Sequence, residues 1–305
     1  MNNTNRIIFK KPDLPELTKH YTVVDMHAHT HYSDGLSSVE EIAYRVRELG
    51  IGIAITDHND IRGAVEIHKD TSTLSIPGIE ITSKEGAHLL VYFYDIESLD
   101  RFYENEIRPN MGNNVMSSIS LKMEEVIERA RAFKGIIIFP HPYCAAYTGI
   151  CNTLFSEERL RRLFGMVDGV EVINSQNLKK WNLRSAVLGF NLDKSITGGS
   201  DAHRLRHIGK VVSYAFCENN CEAFLDAVKN KQNKVIGKEI DILKKLTSTS
   251  FKLKANFKNY PDIVEKNFKY SYTVINSKSK KLRDDIKSSI NGKIENNRKR
   301  RDGSI

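Results

Sequence analysis

Val24-Asp25-Met26-His27-Ala28-His29-Thr30-His31-Tyr32-Ser33-Asp34-Gly35 runs from an apolar segment into a polar turn. The apolar residues at about 22–26 predict a short buried strand. Side chains two residues apart in a strand point to the same side, so we expect His27 and His29 to leave the strand end together. Asp34 follows in a turn from which its carboxylate can return to them. Imidazole with carboxylate is a ligand set for Zn, Mn or Fe rather than Ca or Mg, although a His-x-His pair alone is more often not a metal site.

The length and composition are those of one large α/β domain with an appendage. The chain has 305 residues, of which 40% are hydrophobic, and this is enough for a substantial core. It contains no apolar run of about 18 residues, which predicts no membrane span, and it shows no signal-peptide pattern. Its four cysteines form no Cys-x-x-Cys pair, so we expect reduced thiols in a cytoplasmic protein.

The positive charge is concentrated at one end of the chain. Residues 241–305 contain 17 Lys and Arg against 7 Asp and Glu, a balance of +10, whereas the whole chain carries +8. Residues 1–240 therefore carry −2. We divide the chain into a loosely packed N-terminal arm at 1–20, a main domain at 21–240 and a basic extension at 241–305.

The extension can be interpreted in three ways. Basic and aromatic residues interleave from Phe251 to Tyr260, and Arg298 to Arg301 are all basic. Such a segment can bind nucleic acid through phosphate contacts and stacking. A solvated, partly disordered appendage is the favoured interpretation, and an amphipathic strand packed on the main domain is the third.

Apolar strands alternate with helices through the main domain. The alternation, repeated about seven times, predicts a parallel sheet and, at this length, a barrel rather than an open sheet. Ser38 begins one helix through a capping box, and Gly50 ends it. Residues 95–118 and 143–156 are predicted pocket loops. We expect strands at about 22–26, 51–56, 74–81, 88–93, 136–139, 169–174, 195–199 and 211–216.

Polar residues recur at the ends of these strands, where parallel α/β barrels build their sites. One strand, His88 to Phe93, begins rather than ends with its polar residue. Each residue alone could be an ordinary core or surface group, but nine of them at successive strand ends indicate a shared site. The nine are His27, His29, Asp34, His58, Glu80, His88, His141, Asp201 and His203.

With these motifs the sequence resembles PHP-domain proteins, the polymerase-and-histidinol-phosphatase superfamily. The resemblance covers about residues 21–240 and fills all nine ligand positions. It implies a distorted (β/α)7 barrel. The motifs are His27-Ala28-His29-Thr30 with Ser33-Asp34-Gly35, Thr56-Asp57-His58, Pro77-Gly78-Ile79-Glu80, His88, His141-Pro142 and Gly199-Ser200-Asp201-Ala202-His203.

The resemblance also implies a cluster of two or three divalent metal ions, which could be Mn, Zn or Fe, and in the fullest case a trinuclear site. Glu80 would bridge the first ion to the second. The sets that it implies are His27, His29, Glu80 and Asp201 for the first ion; Glu80, His88 and His141 for the second; and Asp34, His58 and His203 for the third.

The chemistry that follows is phosphoester hydrolysis by a metal-bridging hydroxide. The catalytic candidates are Glu80, Asp201, His203, Arg204 and His207. Arg204 and His207 are the favoured phosphate contacts, and solvated surface charge is the expectation for Arg206 and Lys210.

Four other residues are weaker candidates. Tyr143 and Asn174 could line the pocket, and Arg108 could lie on a lid. His31 could orient substrate, but a role in the turn is equally expected.

The leading hypothesis is a phosphoesterase that acts on small phosphomonoesters, such as a nucleotide or histidinol phosphate. The first alternative is a nuclease on short RNA or DNA that uses the same metal site, with the basic extension as a nucleic-acid contact. The second alternative is a non-catalytic metal-binding module.

Overall fold

The computed structural model describes residues 6–144, 146, 148–151 and 155–240. The basic extension, with its three interpretations, lies outside the described residues. Within the described ranges no helix is both long and apolar enough to cross a membrane. All four cysteines are free thiols.

The described chain alternates strands with helices over most of its length. Shorter helical segments are a π-helical turn at Tyr103–Ile107 and 3-10 turns at Arg108–Asn110 and Leu205–His207. The strands are β1 (Ile7–Ile8), β2 (Thr22–Ala28), β3 (Gly52–Ile55), β4 (Gly78–Thr82), β5 (His88–Tyr92), β6 (Ile136–Phe139), β7 (Gly169–Asn174), β8 (Ser195–Gly199), β9 (Val211–Ala215) and β10 (Lys234–Gly237). The α-helices are α1 (Leu14–Leu17), α2 (Val39–Leu49), α3 (Arg62–His68), α4 (Ile96–Phe102), α5 (Met123–Ala132), α6 (Glu157–Met166), α7 (Lys179–Leu192) and α8 (Cys221–Lys229).

The strands form two mixed sheets of five. Their orders are β1-β10-β9-β2-β3 and β4-β5-β6-β7-β8, so the α/β class is confirmed. The prediction of an all-parallel arrangement is wrong, because β5 runs antiparallel to both β4 and β6, and β9 runs antiparallel to both β2 and β10. One physical reason is visible between β4 and β5, since five residues are too few for the crossover that a parallel pair needs.

The two sheets meet through single bridges rather than through continuous ladders. These bridges join Ile53 to Ser75, His58 to Glu80, and Ala28 to Ala202. A closed (β/α)7 barrel is therefore not found among the described residues. We call the boundary between the two sheets the seam. It passes between His58 and Glu80, which are two of the predicted ligands.

The N-terminal arm is integrated more closely than we expected. Ile7 and Ile8 pair in parallel with Val235 and Ile236 of β10, and Leu14 is buried. The loose packing of the arm as a whole stays a prediction, but its described part pairs with β10 in a defined register. β1 has only two residues and therefore no sequence periodicity, so it can be identified only from its pairing with β10.

Both ends of α2 have the capping interactions that the local sequence predicts. The Ser38 side chain accepts a hydrogen bond from the Glu41 backbone N–H, and the Glu41 side chain accepts one from the Ser38 N–H. Gly50 ends the helix with φ 66°, a left-handed conformation that favours glycine. The predicted capping box and helix end are both confirmed.

The direction of β5 explains its unusual pattern of polarity. Its first residue, His88, lies opposite Thr82, the last residue of β4. In an antiparallel pair the start of one strand meets the end of its neighbour. His88 therefore comes from the beginning of its strand to the same edge that Glu80 approaches from within β4.

Gly199, the last residue of β8, permits a close approach of two strands. A Cβ atom built on Gly199 would lie 2.3 Å from Cβ of His27, which is well inside van der Waals contact. Any side chain here would displace the backbone that carries the first predicted ligand. Gly165 in α6 is a contrast, since nothing lies within 4 Å of its built Cβ.

We predict that Gly199→Ala lowers the free energy of unfolding by about 1–3 kcal/mol, the usual penalty for overpacking. The matched variant Gly165→Ala should leave stability unchanged or raise it by up to about 1 kcal/mol, because alanine is the better helix former. Urea denaturation followed by circular dichroism measures both. Equal free energies of unfolding for Gly199→Ala and Gly165→Ala would contradict the close approach of Gly199 to His27.

Candidate metal centre

The Glu80 carboxylate lies at the centre of the polar cluster and is 1% exposed. Its Oε1 is 2.9 Å from His88 Nδ1 and 3.1 Å from His141 Nε2. Its Oε2 is 3.1 Å from His58 Nδ1 and 3.4 Å from Nε2 of both His27 and His29. Five imidazoles thus converge on one buried carboxylate.

His27 and His29 leave β2 on the same side, as the strand period predicts. Their Nε2 atoms are 3.2 Å apart. Asp201 Oδ1 lies 3.2 Å from Nε2 of His29 and 3.8 Å from Nε2 of His27. These three side chains offer ligand atoms close enough together to hold one ion.

Asp34 returns to the site from the turn after β2. Its Oδ1 is 2.8 Å from His203 Nε2 and 3.8 Å from His58 Nε2. His29 Nδ1 lies 3.9 Å from the same oxygen. A second potential metal group therefore consists of His29, Asp34, His58 and His203, and a third of His58, Glu80 and His88.

These groups resemble the implied ligand sets but divide the residues differently. His29 belongs both to the group with His27 and Asp201 and to the group with Asp34. His58 belongs both to the group with Asp34 and to the group with Glu80 and His88. His141 contacts Glu80 but lies outside the three compact groups. The assignment of particular residues to particular ions stays a prediction.

Hydrogen bonds fix which nitrogen of two imidazoles faces the cluster. His27 Nδ1 donates to Glu171 Oε1 at 3.0 Å, and His203 Nδ1 donates to the Asp201 carbonyl oxygen at 2.8 Å. Nδ1 of each ring therefore bears a proton, and Nε2 is the nitrogen that faces the cluster and can bind a metal ion. Nδ1 of His29 is buried and makes no hydrogen bond within the described ranges. This donor set fits divalent metal ions.

The pKa shifts reflect the same convergence of charges. Burial alone would raise the pKa of Glu80, but the imidazoles of His88 and His27 more than offset it and hold the pKa well below its usual range. Burial also lowers the pKa of His58 to about 3. The carboxylate is therefore ionised and His58 is neutral at ordinary pH. Burial lowers the pKa of His27, but Glu80 and Glu171 more than offset this and hold the pKa well above its usual range. Metal binding would therefore displace a proton from His27.

Two predicted ligands have left-handed backbone conformations. φ is 58° at His141 and 50° at Asp201, and Asn59, beside His58, has φ 47°. Such angles are uncommon for residues other than glycine and are concentrated at functional sites. At both ligands the chain turns sharply as it leaves a strand end.

Sequence reasoning missed two residues that hold the ligands in place. Glu171 binds His27 and also accepts from Asn174 Nδ2 at 2.9 Å. Asp57 accepts from the Thr30 N–H and hydroxyl, both at 2.7 Å, and from the Ser33 hydroxyl, so it holds the turn that carries Asp34. An acidic residue inside the apolar run of β7 was a signal for Glu171.

A cavity of about 360 Å³ opens beside the cluster. Asn174 lines it, as predicted, and also donates to Asp201 Oδ2 at 3.3 Å. Tyr143 is not among the lining residues, although its carbonyl oxygen accepts from Asn177. The lining residues are His141, Cys144, Ala146, Thr148, Asn174, Gln176, Asn177, Leu178 and Asp201.

The cationic candidates after His203 have different surroundings. His207 is buried, with Nδ1 3.0 Å from the Gln176 amide and Nε2 accepting from Arg206 Nε at 3.3 Å. Burial, with Arg206 and Arg204 nearby, lowers its pKa to about 4. His207 is therefore neutral and placed to orient Gln176, while Arg204 is half-buried and Lys210 exposed.

Two weaker candidates are engaged elsewhere. Arg108 is exposed and forms an ion pair with Glu104 at 2.7 Å. His31 is exposed, and its backbone N–H donates to the Ser37 carbonyl. The latter contact agrees with the turn role for His31.

We predict that Glu171→Ala lowers metal affinity by about 10- to 100-fold, because the hydrogen bond that orients His27 is lost. Glu171→Gln should lose less, since its amide oxygen still accepts from Nδ1. Competition with a chromogenic chelator for Zn²⁺ or Mn²⁺ measures the affinity. The control is Glu218→Ala at an exposed residue, and equal affinities in all three variants would show that Glu171 does not support the site.

Comparisons with known proteins agree with this arrangement. The family model for the PHP domain matches residues 25–301. The uncharacterised protein MJ1587 of Methanocaldococcus jannaschii is 31% identical over 167 residues, which are 50% of this chain and 81% of that protein.

Two solved structures share the fold at low sequence identity. The lesion-specific endonuclease Q of Pyrococcus furiosus has a TM-score of 0.59 and 18% identity, over 70% of this chain and 57% of its own. A two-domain protein of Bacteroides vulgatus, described as containing a predicted PHP-like metal-dependent phosphoesterase, has a TM-score of 0.54 and 17% identity, over 78% and 70%. With the family match extending from residue 25 to residue 301, the chain belongs to the PHP-domain family.

Proposed function

We propose that this protein is a metal-dependent phosphoesterase that hydrolyses phosphomonoesters at the Glu80 cluster. The observation that carries the proposal is the contact of five imidazoles with one buried carboxylate. A buried carboxylate and several neutral imidazoles are stable together when they share metal ions. Membership of the PHP-domain family supports the same conclusion.

We propose two or three divalent ions, which could be Mn, Zn or Fe, with Glu80 as a shared ligand. When bound, such ions lower the pKa of coordinated water toward neutrality and stabilise negative charge on phosphate oxygens. The proposed ligands are His27, His29, Asp34, His58, Glu80, His88, His141, Asp201 and His203.

The protein side chains supply orientation and space for the substrate. Asn174 donates to both Glu171 and Asp201. Its amide therefore orients the proposed ligand Asp201 and also Glu171, which in turn orients the proposed ligand His27. The cavity beside Asp201 has room for a small leaving group. Its other polar lining groups include the amides of Gln176 and Asn177, which can hydrogen bond to an alcohol such as a sugar hydroxyl.

Arg204 and His207 enter the proposal in different roles. Arg204 directly follows the ligand His203, which favours a contact between its guanidinium and the phosphate. His207 contacts Gln176, and Gln176 lines the cavity. We therefore propose that His207 is a positioning residue rather than a direct contact.

We predict that Mn²⁺-loaded protein releases phosphate from mononucleotides or histidinol phosphate, and that Asp201→Asn lowers the rate by at least about 100-fold. Asn keeps the shape of Asp and tolerates the left-handed backbone, but it loses the charge that a metal ligand needs. A malachite green assay measures phosphate. Lys134→Gln, at an exposed residue before β6, is the control.

Three outcomes separate the hypotheses when the same protein is also incubated with short oligonucleotides and the products are resolved on a gel. Release from monoesters that Asp201→Asn abolishes supports the phosphatase. Cleavage of oligonucleotides with no release from monoesters supports a nuclease. No hydrolysis of either substrate, with metal still bound, supports the non-catalytic module.

A nuclease is the second candidate because of where the basic extension begins. The Ile240 backbone N–H donates to the Ser175 carbonyl oxygen at 2.9 Å, beside the loop that lines the cavity. The last described residue before the extension, whose charge balance is +10, therefore lies beside the cavity. The related fold in endonuclease Q has been solved with a 27-mer duplex that carries an abasic lesion at the active site of that protein.

If the extension binds nucleic acid, replacing Arg298, Lys299, Arg300 and Arg301 with glutamine in the full chain should slow oligonucleotide cleavage by about tenfold at low salt. Hydrolysis of a mononucleotide by the same variant is the internal control. An unchanged rate of oligonucleotide cleavage would show that these basic residues do not contribute to substrate binding.

A further inference from the structure

The first two turns of α7 carry basic and aromatic side chains at the edge of the cavity. Lys179, Lys180 and Arg184 are exposed. Lys180 Nζ lies 4.7 Å from the centre of the Trp181 ring. Arg184 Cζ lies 5.1 Å from the same ring and 5.8 Å from the ring of Tyr143. We refer to these five residues as the basic-aromatic patch.

The patch is continuous with the candidate metal centre. Leu178, which directly precedes α7, lines the cavity together with Asn177 and Asp201. Asn177 Nδ2 donates to the Tyr143 carbonyl oxygen at 2.7 Å, which joins the two segments of the patch. A chain that leaves the cavity on this side meets the patch first.

Among the described residues, no carboxylate forms an ion pair with the cations of the patch. In the described part of the chain nine arginines form ion pairs with Asp or Glu, but no carboxylate oxygen lies within 4 Å of Lys179, Lys180 or Arg184. α7 also lacks an acidic residue in its first turn, whereas α2, α5 and α6 each have two. Cations at a helix N-terminus face the positive end of the dipole, so this arrangement favours a bound anion.

The side-chain types identify the anion more closely. A guanidinium that lies against aromatic rings keeps its planar N–H groups available for phosphate oxygens. Indole and phenol rings next to cations are the features with which proteins bind the bases and backbone of single-stranded nucleic acid. A small phosphate alone would need no aromatic surface beyond the cavity.

We propose that the basic-aromatic patch binds a single-stranded nucleic-acid chain whose phosphate ester is hydrolysed at the Glu80 cluster. The proposal rests on the proposed function and specifies its substrate: the leaving group is an oligonucleotide rather than an isolated small alcohol. Phosphates near the cavity contact Lys179, Lys180 and Arg184, and unpaired bases stack beside Trp181 and Tyr143.

The protein contains a single tryptophan, Trp181, so its intrinsic fluorescence reports on the patch directly. We expect titration of the full-length protein with octathymidylate to change this fluorescence, and thymidine monophosphate to bind at least about tenfold more weakly. A gel of the strand after titration verifies that it is intact. Binding is thus measured without relying on turnover.

The variant Lys179→Gln/Lys180→Gln/Arg184→Gln should bind octathymidylate at least about tenfold more weakly, and the salt dependence of log K should fall by about 2, or about 0.7 for each of three phosphate contacts. Arg184→Lys alone should give an intermediate affinity, because it keeps the charge but loses the planar group. Lys134→Gln/Lys229→Gln removes two exposed charges elsewhere and should bind within about twofold of the wild type. Circular dichroism verifies that each variant is folded.

The proposal is overturned if the wild type does not bind the strand, if the triple variant binds as well as the wild type, or if a heparin oligosaccharide of equal charge binds equally well. Phosphate release from monoesters without patch-dependent binding would reject this inference and leave the proposed function intact. Patch-dependent binding without hydrolysis of any ester would reject the proposed function and the hydrolysis of the bound strand, and would leave only the assignment of the patch as a nucleic-acid site.

Discussion

The buried Glu80 carboxylate is the group on which the arrangement of both sheets depends. Ionised carboxylates are rarely buried unless opposite charges or metal ions surround them. Here the surrounding imidazoles come from both sheets, and the bridge between His58 and Glu80 lies on the seam that joins them. The chain therefore places its most demanding electrostatic interaction where the two sheets meet. The contributing side chains are His27 from β2, His29 directly after β2, His58 from the loop after β3, His88 from β5 and His141 from the loop after β6.

The residue types at the cluster could be predicted because strand periodicity and strand ends are local properties. His27 and His29 share a face by the period of two, and the capping box of Ser38 lies within four residues. The position of His88 also indicates strand direction, since a polar residue at the start of an apolar strand is expected where the strand runs away from the site, opposite to strands that end there. The antiparallel pairing of β5 follows from that reversal.

The remaining features depend on partners that are distant in sequence. Glu171 and His27 are separated by 144 residues, so an acidic residue in β7 was visible but its partner was not. The left-handed backbone at His141 and Asp201 is only weakly indicated by residue type, because His and Asp adopt it more often than most residues other than glycine but still rarely. His207 could be assigned to the site, but its position between Arg206 and Gln176 is a result of tertiary packing.

Charge balance connects the cluster with its surroundings. Four carboxylates contact the imidazoles of the proposed metal ligands, from Asp34, Glu80, Glu171 and Asp201. Two divalent ions would balance these four negative charges, and only a third would leave an excess of positive charge. A phosphate ester that carries negative charge therefore gains little long-range attraction from a binuclear centre. The proposed patch on α7 would supply that attraction from outside the cluster, beside the cavity that Leu178 lines, and at physiological ionic strength such attraction extends over about 8 Å.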